Sequence, residues 1–103
     1  MNIEKIKKNL VIGEVERAVQ EISQELELMN SSYRKTFLNY YSFFGNIHIS
    51  MRPESYIDKA TIIRSALTVV LKKAHKAKDI KNAKLLLELI QLIKDFEVED
   101  DLP

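Results

Sequence analysis

No cysteine occurs among the 103 residues, which excludes disulfide frameworks, thiolate metal sites and cysteine nucleophiles. Glycine and proline occur twice each, and the two glycines stand alone, so no glycine-rich loop can let a phosphate approach the backbone. His48 and His75 cannot build a zinc site without carboxylate help, and neither has an acid at a ligand-like spacing in its own segment. Long apolar runs are missing as well. The early lysines are followed by only three consecutive apolar residues, Leu10 to Ile12, where a secretory signal needs roughly 7–15. The most apolar stretch, Leu85 to Ile93, is interrupted by Glu88 and Gln91 and falls well short of the roughly 20 residues of a membrane span. These absences point to a cytoplasmic protein with no membrane span.

A large excess of either charge is lacking too. Sixteen basic and fifteen acidic residues leave a formal charge of +1, without the basic surplus of a dedicated nucleic-acid binder. The average conceals segregation. Five acids and one base lie between Glu14 and Glu27, eight bases and one acid between Lys59 and Lys84, and five acids with no base between Asp95 and Asp101. Acidic and basic faces of neighbouring helices can attract across a bundle. The same pattern can instead give a polar surface field that meets a partner.

What remains is 46% apolar and 30% charged, the balance of one soluble globular domain. Twelve isoleucines and twelve leucines carry its periodicity. Ile3, Ile6 and Leu10 step by three and four, as do Val15, Val19, Ile22, Leu26 and Met29, so each set shares one helical face. Gly13, costly inside a helix, separates the sets at a corner near Val11–Gly13, with one continuous, kinked helix as the competing reading. Asn30-Ser31-Ser32 ends one helix and starts the next, since short polar side chains accept backbone N–H bonds at helix N-termini. That next helix carries Tyr33, Phe37, Tyr40 or Tyr41, and Phe44 on one side and is expected to stop at Gly45 in a left-handed conformation. Asn46 to Met51, with Ile47 and Ile49 around His48, then reads as a loop or short extended piece.

Pro53 opens a long helix to about Ala77. Tyr56, Ala60, Ile63, Leu67, Val70 and Ala74 form one stripe and Ile62, Ala66 and Val69 a second. A helix apolar over most of its circumference is central in its bundle. After a turn at Lys78-Asp79, with Asp79 as cap, the last helix runs from Ile80 to about Phe96. Its buried face is expected to hold Ile80, Ala83, Leu86 or Leu87, Ile90 and Ile93, widened by Leu85, Leu89 and Leu92. The fold class is therefore all-α, a four- or five-helix bundle with a long C-terminal helical hairpin. Residues 1–97 form a single helical domain, and 98–103 an acidic tail without apolar period, expected to be disordered.

Chemistry-bearing constellations are sparse. Glu54 and Asp58 lie four apart on one helix, where they read as a solvated pair near the positive dipole end. No convergent set of reactive groups suggests catalysis, and no cofactor or metal is implied. Two surface features remain. Seven of eight aromatics fall between Tyr33 and Tyr56, either as bundle core or as a contact surface, with Tyr41 and Phe43 the candidates for exposure. Lys72, Lys73 and Lys76 lead a basic segment that continues through Lys78, Lys81 and Lys84 over the tip of the hairpin. It is a solvated helix end, a docking patch for an acidic protein surface, or a set of phosphate contacts.

The order of signals resembles the small helical effector-associated domains of bacterial anti-invader conflict systems, adaptor modules analogous in role to death-fold domains. The matching residues are Gly13-Glu14 and Ala18, Tyr33-Arg34 opening a helix that ends in Gly45-Asn46-Ile47, Ser50 and Glu54 starting the next, and Ile63 with Ala66-Leu67. The match covers roughly residues 3–72 and leaves out the last helix. It implies homotypic or heterotypic docking that recruits an effector, without catalysis in this chain. The leading expectation is thus a non-enzymatic protein-interaction module with a protein partner, possible self-association, and Tyr41, Phe43, Lys72, Lys73 and Lys76 as partner-binding residues. The alternatives are a small nucleic-acid-associated protein using the lysine-rich tip, and an immunity or inhibitor protein that binds a toxin or membrane partner.

Overall fold

The computed structural model describes the backbone of residues 2–51 and 56–101 and the side chains of 2–46 and 59–95. Five helices follow one another, α1 (Ile3–Val11), α2 (Val15–Met29), α3 (Ser31–Met51), α4 (Tyr56–Lys76) and α5 (Ile80–Asp101), with no strand among the described residues. The chain is an all-α bundle.

Short, well-capped corners set its geometry. Gly13, at φ 85°, lets α1 close with Gly13 N–H on the Leu10 carbonyl (3.2 Å) and Glu14 N–H on the Asn9 carbonyl (2.8 Å). Asn30 is extended, and its Oδ1 accepts from Ser32 N–H at 2.8 Å, so one residue ends α2 and caps α3. The α4–α5 corner repeats the first. Lys78 N–H bonds the His75 carbonyl at 3.0 Å and Asp79 N–H the Ala74 carbonyl at 2.9 Å. The left-handed position, φ 59°, is held by Lys78 where α1 uses glycine. Asp79 then caps α5, its Oδ1 accepting from Asn82 N–H at 3.4 Å.

The periodic stripes become the core. Ile6, Leu10, Val15, Ala18, Val19, Ile22 and Leu26 of α1 and α2 are buried, with Tyr33 and Phe37 of α3. So are Ala60, Ile63, Ala66, Leu67, Val70 and Ala74 of α4 and Ala83, Leu86, Leu89 and Ile93 of α5. The helices pack largely in chain order, and α4 lies between α3 and α5 as its nearly all-round apolar surface requires. Tyr33 reaching Asp79 and Lys73 reaching Thr36 put the start of α3 level with the end of α4, so these helices run antiparallel.

Two expectations are corrected. The helix does not stop at Gly45, and Asn46–Met51 is not an extended piece, because α3 continues to Met51. Each further helical residue closes one more backbone bond, whereas six residues with no neighbouring strand would close none. Pro53, where the next helix was expected to open, lies outside the described residues, as do the side chains of His48, Glu54 and Asp58. In α5, Ile80 is 68% exposed rather than buried, and it is Leu86, not the half-exposed Leu87, that enters the core. The buried arc is centred on Leu86, Leu89 and Ile93, and Ile80 stands on the opposite side of the helix. The helical backbone of α5 runs to Asp101.

Candidate functional site

The tip of the α4–α5 hairpin collects the features that packing does not consume. One side chain fixes its position. The Tyr33 phenol, buried at the start of α3, donates to Asp79 Oδ2 at 2.7 Å, and Asn82 Nδ2 donates to the same oxygen at 2.8 Å. Burial, then the Asp79 hydrogen bond and charge, push the Tyr33 hydroxyl up to about 12. Asp79 moves the other way, its carboxyl held below the usual range by the Asn82 and Tyr33 hydrogen bonds. The carboxylate is therefore a fixed structural group that ties α3 to the turn.

Beside this anchor runs a groove of ≈ 410 Å³ lined by His75, Lys78, Asp79, Ile80, Ala83, Lys84 and Leu87. Its apolar material comes from Ile80 and Leu87, 68% and 49% exposed, with Ala83 beneath. Lys78 and Lys84 stand at its rim, and Lys72, Lys76 and Lys81 are exposed nearby. Ile80 and Leu87 are seven residues apart, two turns on one side of α5. The result is an apolar strip bordered by cations.

Lys72 and Lys76 are exposed as expected, close to this groove on the last turns of α4. Lys73 is exposed too, but its ammonium donates to Thr36 Oγ1 at 3.1 Å and so leans toward α3. Tyr41 is half-buried. Its ring stacks on Phe37 with centroids 6.0 Å apart, and its hydroxyl donates to Glu16 Oε1 at 3.3 Å. Phe43 is 56% exposed and meets Tyr40 and Phe44 in a small aromatic cluster at 6.5 and 5.7 Å. Phe43 lies seven residues beyond Thr36, about 10 Å further along α3. The aromatic and basic residues therefore do not form one patch.

The residues that sequence reasoning missed are Ile80 and Leu87. Their signal was present: both fall on the face of α5 that also carries Lys84 and Gln91. Among the described residues, no group of three or more potential ligands is placed to hold a metal ion, and no helix is long and apolar enough to cross a membrane. No family model, curated protein or solved structure matches the chain.

Proposed function

We propose that the chain is a non-enzymatic, cytoplasmic protein-interaction module whose hairpin tip receives an acidic amphipathic helix. The observation that carries this reading is the exposure of Ile80 and Leu87 along a groove rimmed by Lys78 and Lys84. An apolar strip bordered by one sign of charge fits a helix with an apolar stripe and carboxylates beside it, with the charges setting orientation and the apolar contact supplying affinity. Lys78 supports the same view. A lysine in a left-handed position costs about 1–2 kcal/mol that glycine would not, yet the residue places a cation at the groove. Bare phosphate binding fits less well, because no aromatic side chain interleaves the lysines and the apolar strip would have no role. The resemblance of residues 3–72 to effector-associated adaptor domains supports recruitment of a partner protein as the role.

The test is fluorescence anisotropy with a labelled synthetic helix of leucines at i, i+3, i+4 and i+7 and glutamates elsewhere. A lysine-for-glutamate version and a random-sequence DNA duplex serve as controls. The acidic helix should bind, more weakly as salt rises, and Leu87→Glu should abolish binding. Preference for the duplex, or equal binding of acidic and basic helices, would refute the reading.

A further inference from the structure

The end of the bundle that holds the hairpin tip carries more than the groove uses. The Tyr33–Asp79 and Lys73–Thr36 contacts set the start of α3, the end of α4 and the start of α5 side by side. The corner at Asn30 brings the end of α2 to the same place. All side chains of residues 25–36 and 72–84, which make up this end, are described. They comprise eight bases and three acids, an excess of five positive charges with His75 neutral. Every base is exposed, whereas each acid is restrained. Asp79 is held by Tyr33 and Asn82, Glu27 faces Arg34 at 3.9 Å, and Glu25 is half-buried. Lys35 on α3 and Lys72, Lys73 and Lys76 on α4 lie outside the lining of the groove. So does Leu28, 82% exposed two residues before the Asn30 corner. Ile80, 68% exposed, is the first residue of α5. Both apolar side chains therefore stand within one turn of the corners that close this end.

We propose that this end rests on an anionic phospholipid surface, with its lysines among the headgroups and Leu28 and Ile80 in the interface. The proposal goes beyond the docking reading, whose groove runs up the flank of α5 and uses neither Leu28 nor the cations of α3 and α4. Anionic headgroups attract a basic cluster only within a screening length of about 8 Å. The charge gathered at one end therefore counts, and not the formal +1 of the whole chain. Lysine suits the task, because its aliphatic stem can lie along apolar material while the ammonium stays at headgroup level. A helix in the groove would cover Ile80 and leave Leu28, Lys35 and Lys72 in water. A nucleic-acid backbone would meet the lysines but give the two apolar side chains no contact. A lipid interface answers both features at once, since apolar burial and attraction to anionic lipids add there.

The test is co-sedimentation of the full chain with vesicles of phosphatidylcholine, alone or mixed equally with phosphatidylglycerol. The chain should bind the anionic vesicles only, and less as salt rises. Replacing Lys35, Lys72 and Lys76 together by glutamine should weaken that binding by about tenfold or more. Because the chain has no tryptophan, single tryptophans report which side chains enter the interface. Emission of the Leu28→Trp and Ile80→Trp variants should shift to the blue on anionic vesicles. Phe43→Trp, about 15 Å further along α3 than Tyr33, should not shift. Leu28→Glu should weaken vesicle binding and leave the synthetic acidic helix bound, whereas Leu87→Glu should abolish helix binding and spare the vesicles. The lipid proposal and the docking reading thus fail separately. All these positions are exposed, so the variants fold. Equal binding to both vesicles, binding to neither, a shift in Phe43→Trp alone, or a random-sequence DNA duplex bound in preference to the vesicles would overturn the proposal.

Discussion

The Tyr33 phenol spans from α3 to the hairpin turn, and its titration reports whether that tie is made. Spectrophotometric titration should show one tyrosine ionising near 12. In an Asp79→Asn variant its midpoint should fall but stay above 10, because burial is the largest cause of the shift and the Asp79 bond and charge come after it. A midpoint already at 10 in the parent chain would mean that the phenol is neither buried nor tied to Asp79. The linkage has a definite sign. A hydroxyl raised in the folded state gives stability that is complete below pH 10 and is lost as the pH climbs from there through 12. Asp79, lowered in the folded state, gives stability that is present above the ordinary carboxylate value and is lost as the pH falls through the lowered one. Lys78 offers a second residue-level check. Lys78→Gly should raise stability in denaturant by about 1 kcal/mol, since glycine meets φ 59° without the side-chain penalty. The same change should weaken binding of the acidic helix, separating the residue's conformational cost from its charge.

Among the elements, α3 and α5 show what periodicity can and cannot specify. The corner at Gly13, the stop at Asn30 and the cap at Asp79 were all legible, because each is local chemistry written in one or two residues. Gly45 carried the same kind of mark but sits inside α3, with nothing within 4 Å of where a Cβ would stand. A lone glycine signals a left-handed cap only if the chain must turn there, and tertiary packing decides that. The two glycines therefore respond oppositely to alanine. Gly45→Ala should stabilise by about 0.5–1 kcal/mol through helix propensity, and Gly13→Ala should destabilise by about 1 kcal/mol or more, because φ 85° strains any Cβ. Equal signs in thermal or urea unfolding would contradict these helix boundaries. In α5 the leucine-rich sequence allows several apolar arcs of similar strength. Placing Ile80 in the core and leaving Leu86 or Leu87 open was the cost of that degeneracy, and it hid the apolar half of the groove. The basic half was legible, since Lys72, Lys76 and their neighbours needed only to be exposed.

At the scale of the whole molecule, a radius of gyration of 13.1 Å is what a single compact domain of this length adopts. Packing that follows chain order makes the interior unequal. α4 is enclosed by α3 and α5, whereas α1 lies mainly against α2 and α5 mainly against α4. The near-continuous apolar surface of α4 predicted that central place from sequence. What no periodicity states is which outer helix keeps a face free, because that depends on how many neighbours the chain supplies, and α5 is the last described helix to pack. The inequality has a measurable consequence. Local opening needs less free energy where fewer buried contacts are lost, so hydrogen exchange should be slowest for the amides of 60–74 in α4 and faster in α1 and in the second half of α5. Uniform protection across all five helices would show instead that the bundle opens only as one unit.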